Sequence, residues 1–475
     1  MNGRSGCSVA RARSCSGTVV TRCVIAVSVS LSCCIPVPLV LPYVKVSVHY
    51  KRSPNILAPN GSPSMASAKS TSASQPREVD FPIFDADNHF YETPDALTKY
   101  LPPDRKDAVK FVEVDGRKKV MFLGKLAEFI PNPTFERIGH PGAQEQYFKH
   151  GNPEGKSSRE LVGPGMDCPP ALRNAADRLA LMDEQGLDYA LTLPTLVSLV
   201  EERMREDPDA CHDVIHAFNE WMVEEWPFVY EGRIYATPCV ATNLVDRAVA
   251  ELEWLLERGA RTVVLRPAPA WGYRGPRSFG LPEFDPFWRL VEESGTVVVL
   301  HVSDSGYDRY YDEWQGAQVE MKSTSVESTP FKMSQMFNHY PIRDTITSLI
   351  CHGTFWRFPA ARVLLVENGC GWIPDLLDHL DHVAMKAPQQ YAMKPSDTFR
   401  QNVWVQANHE DDLPPVIEAI GIERLMFGSD YPHLEGLAEP LSYLDDLTGL
   451  SAEDKRRFMG GNMLDLLGID APASV

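Results

Sequence analysis

Eight short runs of β-branched and apolar residues recur between positions 83 and 432, separated by stretches with helical spacing, and no other feature narrows the fold as much. The runs are IFDADNH (83–89), DYALTLPT (188–195), RIYATPCV (233–240), RTVVLRP (261–267), TVVVLHVS (296–303), RVLLVENG (362–369), NVWVQANH (402–409) and RLMFGSDYP (424–432). Between them, segments such as DRAVAELEWLLERGA (246–260) repeat apolar residues at intervals of three and four, the signature of one buried helix face. PDALTKYL and FDPFWRLVEESG read the same way, the second stopping at a glycine. Strands that alternate with helices pair in parallel, because each crossover returns the chain to the same end of the sheet. Eight such units predict an α/β chain folded as a (β/α)8 TIM barrel. The rival, a doubly wound open sheet, calls for a glycine-rich phosphate turn after its first strand, and DADNHFYETP has none.

Two connections exceed what a barrel needs. Residues 90–187 separate the first two runs and residues 304–361 the fifth and sixth. The expected barrel therefore carries long inserted loops after strands 1 and 5, of the kind that form lids over a site. The second insertion contains GYDRYYDEW, whose Tyr307, Tyr310, Tyr311 and Trp314 suit an aromatic wall over a pocket or, by slight preference, a buried helix face.

Charge divides the chain into a front and a body. Residues 1–79 hold nine Lys/Arg against one acid, Glu78, whereas the remainder holds 37 basic against 63 acidic residues. Residues 1–79 are accordingly expected to form an N-terminal extension, and residues 80–475 one barrel domain. An acidic body argues against nucleic acid as a partner, since phosphate backbones need a basic surface. Within the front, Cys23–Val44 runs 22 residues without a charge behind Arg4, Arg11, Arg13 and Arg22, the length and flank of a membrane span or signal. Pro36, Pro38 and Pro42 would interrupt such a helix, and Met65 opens a polar lead-in typical of a protein start. The preferred reading makes residues 1–64 a non-native or poorly ordered extension, with a genuine targeting segment as the alternative. Membrane association or export is expected only if residues 23–44 are native. The cysteines of the body (Cys168, Cys211, Cys239, Cys351 and Cys370) are scattered with no CxxC pair, which suits a cytoplasmic protein without a disulfide framework.

In a barrel the reactive side chains gather where the strands end. Here the ends carry Asp87 and His89 (strand one), Arg266 (four), His301 (five), Glu367 (six), His409 (seven) and Asp430 (eight), each closing an otherwise apolar run. Side chains two apart on a strand share a face, so Asp85, Asp87 and His89 are expected to point the same way. Two imidazoles with two carboxylates make an ordinary inner sphere for one divalent cation, Zn2+ or Mn2+. The predicted ligands are Asp87, His89, His301 and Asp430, with Asp430 also a candidate to take a proton. Asp85, deeper in the strand, is assigned a supporting or structural role in preference to ligation. The plainer alternatives are a buried, backbone-bonded His301 and an Asp430 that only caps a loop. For Arg266 the alternatives are a bidentate fork for a substrate carboxylate and a salt bridge to a barrel acid.

Five stretches, DADNHFYETPD, LALMDEQGLDYALTLPT, LHVS, GTFWRFPAARVLLVENG and MFGSDYPHLEG, together resemble the amidohydrolase-related family over about residues 81–470. The likeness is to the branch of aminocarboxymuconate-semialdehyde decarboxylase and gamma-resorcylate decarboxylase, and the last two stretches are the specific ones. The resemblance implies a (β/α)8 barrel with one divalent metal, a homo-oligomer, and a first-strand pair spaced X-x-His, met by Asp87 and His89. It matches His301 to the fifth-strand histidine and Asp430 to the eighth-strand aspartate. The chain departs at strand six, where both decarboxylases place a histidine and LLVENGCGWIP places Glu367. A carboxylate accepts a proton or binds a metal, but it does not donate a proton as imidazolium does. His352, in CHGTFWRFP, is read as a helix-start residue rather than its substitute.

Three accounts of function follow. The leading one is metal-dependent, non-oxidative decarboxylation of an unsaturated or aromatic carboxylic acid, with Asp430 and Glu367 handling the proton and Arg266 binding a second carboxylate. The second uses the same groups to hydrolyse an amide, ester or lactone. The third is a non-catalytic ligand-binding barrel. No GxSxG elbow or Cys/His pair supports a nucleophilic mechanism.

Overall fold

The computed structural model describes residues 79–316 and 329–470. The expectations for the extension, including the uncharged stretch 23–44, lie outside the described residues. Each of the eight runs contains a strand: β1 (Phe84–Phe90), β2 (Tyr189–Pro194), β3 (Ile234–Ala236), β4 (Thr262–Leu265), β5 (Val297–His301), β6 (Arg362–Val366), β7 (Val403–Ala407) and β8 (Leu425–Phe427). Strands β1 to β3 form one sheet and β4 to β8 a second, and every strand pairs in parallel with its neighbour in sequence. Single parallel bridges join the sheets at both edges, Cys239 with Val264 and Asn88 with Tyr431. His89 N donates to Tyr431 O at 2.7 Å and Asp430 N to Asp87 O at 2.7 Å across the second of these. The fold is α/β with parallel strands. Helices lie between the strands, among them α1 (Ala175–Gln185), α2 (Pro208–Glu225), α3 (Val245–Leu256) and α4 (Asp285–Ser294).

Strand alternation sorts side chains into two apolar layers. Phe84, Leu191, Val297, Val299, Leu364 and Met426 pack in one cluster contributed mainly by the strands. Val298, Leu300, Val363, Leu365, Val403 and Val405 belong to the other, shared with helix residues such as Leu252 and Phe287. Period-two alternation therefore carries His301 onto the face of Val297 and Val299. The same parity puts His409 on the face of Val403 and Val405.

β1 breaks the alternation. Its pairing with β2 shifts register between Asp85 and Asn88, so one extra residue is accommodated there. Phe84 and Ala86 pack in the strand cluster, while Phe90, which strict alternation would place beside them, packs in the helix-facing one. The expectation that Asp85 shares a face with Asp87 and His89 is thereby corrected: the bulge re-aims the last two and leaves Asp85 behind.

Both insertions contain secondary structure of their own. The first carries an antiparallel sheet of Val109–Val114, Arg117–Phe122 and Lys125–Ala127. The second begins with the helix Asp308–Gln315, in which Tyr311 is buried but Tyr310 and Trp314 stay 50% and 68% exposed. The aromatic stretch is thus buried on one face only. A cleft of about 510 Å3 is walled by Phe122 and Phe129 of the first insertion and Arg309 and Asp312 of the second. Among the described residues, no helix is long and apolar enough to cross a membrane.

Candidate metal centre

Four side chains from three strand ends converge. Asp87 and His89 come from β1, His301 closes β5, and Glu367 follows β6; one ligand atom of each lies within 4.8 Å of the others. His89 Nε2 is 3.2 Å from His301 Nε2 and 3.2 Å from Asp87 Oδ1. Glu367 Oε2 is 3.0 Å from His301 Nε2 and 3.7 Å from His89 Nε2. Asp430 Oδ1 stands 3.6 Å from His89 Nε2, in an overlapping group of His89, Glu367, Asp430 and His433.

Two of these carboxylates reach the centre through unusual backbone. Glu367 has the parity of Val363 and Leu365, which face the helices. Its φ of +56° ends the strand in the left-handed region, and Asp430 does the same after β8 with φ of +53°. A non-glycine residue held there costs about 1–3 kcal/mol, and such residues concentrate at functional sites. Gly428 allows the close approach of β8 to β1: a Cβ there would lie 2.5 Å from both Asp87 Cβ and Gln406 Cγ.

The donor chemistry fits a divalent cation. Asp87 is fully buried, and neither of its oxygens receives an aligned hydrogen bond. An unpaired buried carboxylate is expensive unless a cation neutralises it. His301 Nδ1 is 2.6 Å from Val302 O, a group that can only accept, so Nδ1 carries a proton and Nε2 is the nitrogen turned to the centre. Burial, reinforced by the neighbouring His433, holds His89 well below its usual pKa and so favours the neutral ring a ligand must have. Burial opposes charge on Asp87, yet His301 and His89 hold it below the usual carboxylate range. Burial likewise opposes charge on His301, and Asp87 and Glu367 outweigh it, raising the imidazole to about 10. The field at this point favours positive charge. Asp430 is pushed well up, first by burial and then by Glu367 and Asp87, and burial raises Glu367.

A profile of the Amidohydrolase family matches residues 84–469. The chain belongs to the amidohydrolase family. An amidohydrolase from Mycobacterium avium subsp. paratuberculosis K-10 is 36% identical, with a TM-score of 0.77 over 82% of this chain and 100% of that one. A dihydroxybenzoic acid decarboxylase from Polaromonas sp. JS666, solved with bound manganese and 2-nitroresorcinol, superposes with a TM-score of 0.50 at 16% identity, covering 82% of this chain and 97% of that one. The 2-amino-3-carboxymuconate-6-semialdehyde decarboxylase of Dictyostelium discoideum is 24% identical over 195 residues, 40% of this chain and 49% of that protein. The match thus spans about half the length of that relative.

Around the cluster, the chain holds its β1 residues from behind. Asp85 accepts from Ser429 N at 2.9 Å, Ser429 Oγ at 2.5 Å and Asn88 Nδ2 at 2.9 Å, tying β1 to the turn after β8. Burial raises its pKa to about 6. Arg178 of α1, fully buried, donates to Asn88 Oδ1 and to His89 O. Gln406 of β7 accepts from Glu367 N at 2.8 Å. Ser429, Arg178, Gln406 and His433 were not anticipated. Alternation along β7 was the available signal for Gln406, and His433 stood three residues after Asp430 in MFGSDYPHLEG.

Other strand-end residues stand apart. His409 Nε2 lies 2.9 Å from Glu435 O, on the far parity of β7 and outside the cluster. His352 is exposed, in the turn between the helices Tyr340–Cys351 and Thr354–Arg357. Arg266 is buried in an ion pair, donating Nη1 to Glu202 Oε2 at 2.8 Å and Nη2 to Pro269 O at 2.8 Å. A salt bridge to an acid of its own chain is what the geometry shows. Both terminal nitrogens of Arg266 are engaged within the chain. Only Nε lacks a hydrogen-bond partner, 3.8 Å from Glu201 Oε1.

Proposed function

We propose that the eight strands close into a (β/α)8 barrel spanning residues 80–475, that Asp87, His89 and His301 hold one Zn2+ or Mn2+ ion with Asp430 beside it, and that the protein decarboxylates an unsaturated or aromatic carboxylic acid. The observation that carries this reading is the buried Asp87 carboxylate, without an aligned hydrogen bond, facing two imidazole Nε2 atoms 3.2 Å apart. When bound, the metal supplies Lewis-acid polarisation of a substrate oxygen and stabilises charge left by the departing CO2. The chain supplies the rest. Glu367 and Asp430, both raised by burial, are suited to hold a proton and pass it to carbon. The decarboxylase names of two similar proteins support this reaction over others. The homo-oligomer that the resemblance implies is retained as part of the proposal, to be read by sedimentation.

One observation favours hydrolysis as a second reading. Asp430 Oδ1 lies 2.6 Å from His433 Nδ1, an arrangement equally suited to taking a proton from an attacking water.

The test is to load the full chain with Mn2+ or Zn2+ and offer hydroxylated benzoic acids and unsaturated dicarboxylic acids, alongside aryl esters, amides and lactones. Metal-dependent CO2 release, with solvent deuterium appearing at the carbon that lost it, is expected. Turnover of esters, amides or lactones without CO2 release from any acid would overturn decarboxylation.

A further inference from the structure

His433 is absent from every expectation drawn from the sequence, yet it touches more of the cluster than its position suggests. It sits in the turn after β8, where its backbone N–H closes on Asp430 O at 2.9 Å. Its ring lies 4.1 Å from that of His89, tilted by 36°. Its Nδ1 is 2.6 Å from Asp430 Oδ1, and its Nε2 is 3.4 Å from Thr195 Oγ1. Among the described residues this is the one side-chain hydrogen bond to the Asp430 carboxylate.

The grouping of His89, Glu367, Asp430 and His433 leaves His433 two roles: a ligand, or a donor that orients a ligand. Geometry separates them. A contact of 2.6 Å between a ring nitrogen and a carboxyl oxygen requires a proton between them, and whichever partner carries it, the Nδ1 lone pair is not free for a metal, while an ionised Asp430 can only accept. The other nitrogen faces a hydroxyl at the rim. Asp430 needs such a partner, because left-handed backbone does not by itself fix which carboxylate oxygen faces inward.

We infer that His433 is a positioning residue: it donates Nδ1–H to Asp430 Oδ1 and so fixes the carboxylate against the ion held by Asp87, His89 and His301, without binding that ion itself. The inference rests on the metal reading proposed above, and it goes beyond it in assigning the orienting group.

The test uses Co2+, whose visible absorption reports coordination geometry, on the full chain and two variants. His433→Asn keeps an N–H near the place of Nδ1, because the asparagine amide nitrogen overlays that atom; His433→Leu keeps bulk and removes the donor. The leucine variant is expected to bind Co2+ roughly 10- to 100-fold more weakly, the usual cost of losing a group that orients a ligand, with an altered spectrum. The asparagine variant is expected to recover most of the affinity and the wild-type spectrum. Thermal unfolding of both variants without metal checks that each is folded. Equal weakness in the two variants would overturn the inference in favour of direct ligation, and a leucine variant that matches wild type would overturn it outright. Wild type that takes up no Co2+ would instead remove the metal reading, and the inference with it.

Discussion

Two clusters of buried charge stand side by side at the strand ends, and they are resolved in opposite ways. Around Arg266 each acid has a cation from the same chain: Arg266 and Arg205 bond Glu202 at 2.8 and 2.6 Å, and Arg203 lies 2.5 Å from Asp304. Around His89 the carboxylate of Asp87 lacks an aligned donor, and two imidazole nitrogens face each other at 3.2 Å. A buried charge neutralised by its own chain shapes a pocket, whereas one left without a partner marks where something else binds. The contrast separates the residue that was expected to bind substrate, Arg266, from those expected to bind metal.

The contrast breaks most visibly if the paired cluster is cut. Arg266→Met leaves Glu202 and Glu201 buried with one guanidinium fewer and is expected to cost about 3–5 kcal/mol in urea unfolding while metal content holds. If metal content falls as far as stability, the two clusters are one unit. Chelation should act on the other cluster alone, lowering unfolding free energy by about 2.7–4.1 kcal/mol when free metal had stood at 100 to 1,000 times its dissociation constant. Calorimetry with and without chelator reads this directly, and the Asp87→Ala variant should show no such difference.

Gly428 sits against two supports of the metal cluster, Asp87 and Gln406. Gly428→Val should cost about 1–3 kcal/mol by overpacking and should also weaken metal binding, because the first atoms displaced belong to Asp87 and Gln406. Loss of stability without loss of metal affinity would show that β1 gives way elsewhere. The smallest effect is a pH slope. Burial raises Glu201 above its ordinary 4.5, with Arg266 offsetting part of that. Above pH 4.5 the unfolded chain has released a proton that the folded chain still holds, so this group lowers stability as pH rises towards its folded pKa. Glu201→Gln should flatten that slope and leave metal content unchanged, measured by urea unfolding across pH 4–8.

What was legible in the sequence follows from periodicity. All eight strands announced themselves as apolar runs, and His301 could be placed because β5 keeps strict alternation through its last residue. The failures occur where the backbone leaves that period. The bulge in β1 carries no glycine or proline to mark it, so Asp85 was put on the wrong face. Its favoured supporting role agrees with the four hydrogen bonds it accepts from Ser429, Asn88 and Asp87 N. Glu367 and Asp430 were named from the strand ends and both lie in the cluster, although the left-handed backbone that brings them there is not visible in composition. Arg178 lies in a helix of ordinary amphipathic spacing, where nothing distinguishes a fully buried arginine from an exposed one. His409 was read as a strand-end residue equal to the others, although counting parity along β7 already put Gln406 on the inner face in its place.

The most direct measurement is the metal content of the full chain, purified without chelator, by mass spectrometry of the elements, beside Asp87→Ala, His301→Ala and Arg266→Met. The account predicts about one Zn or Mn per wild-type chain, as expected for a single His/Asp site, the same in Arg266→Met, and almost none in the other two. A wild type that neither carries nor takes up a divalent metal, or alanine variants that keep theirs, would contradict it.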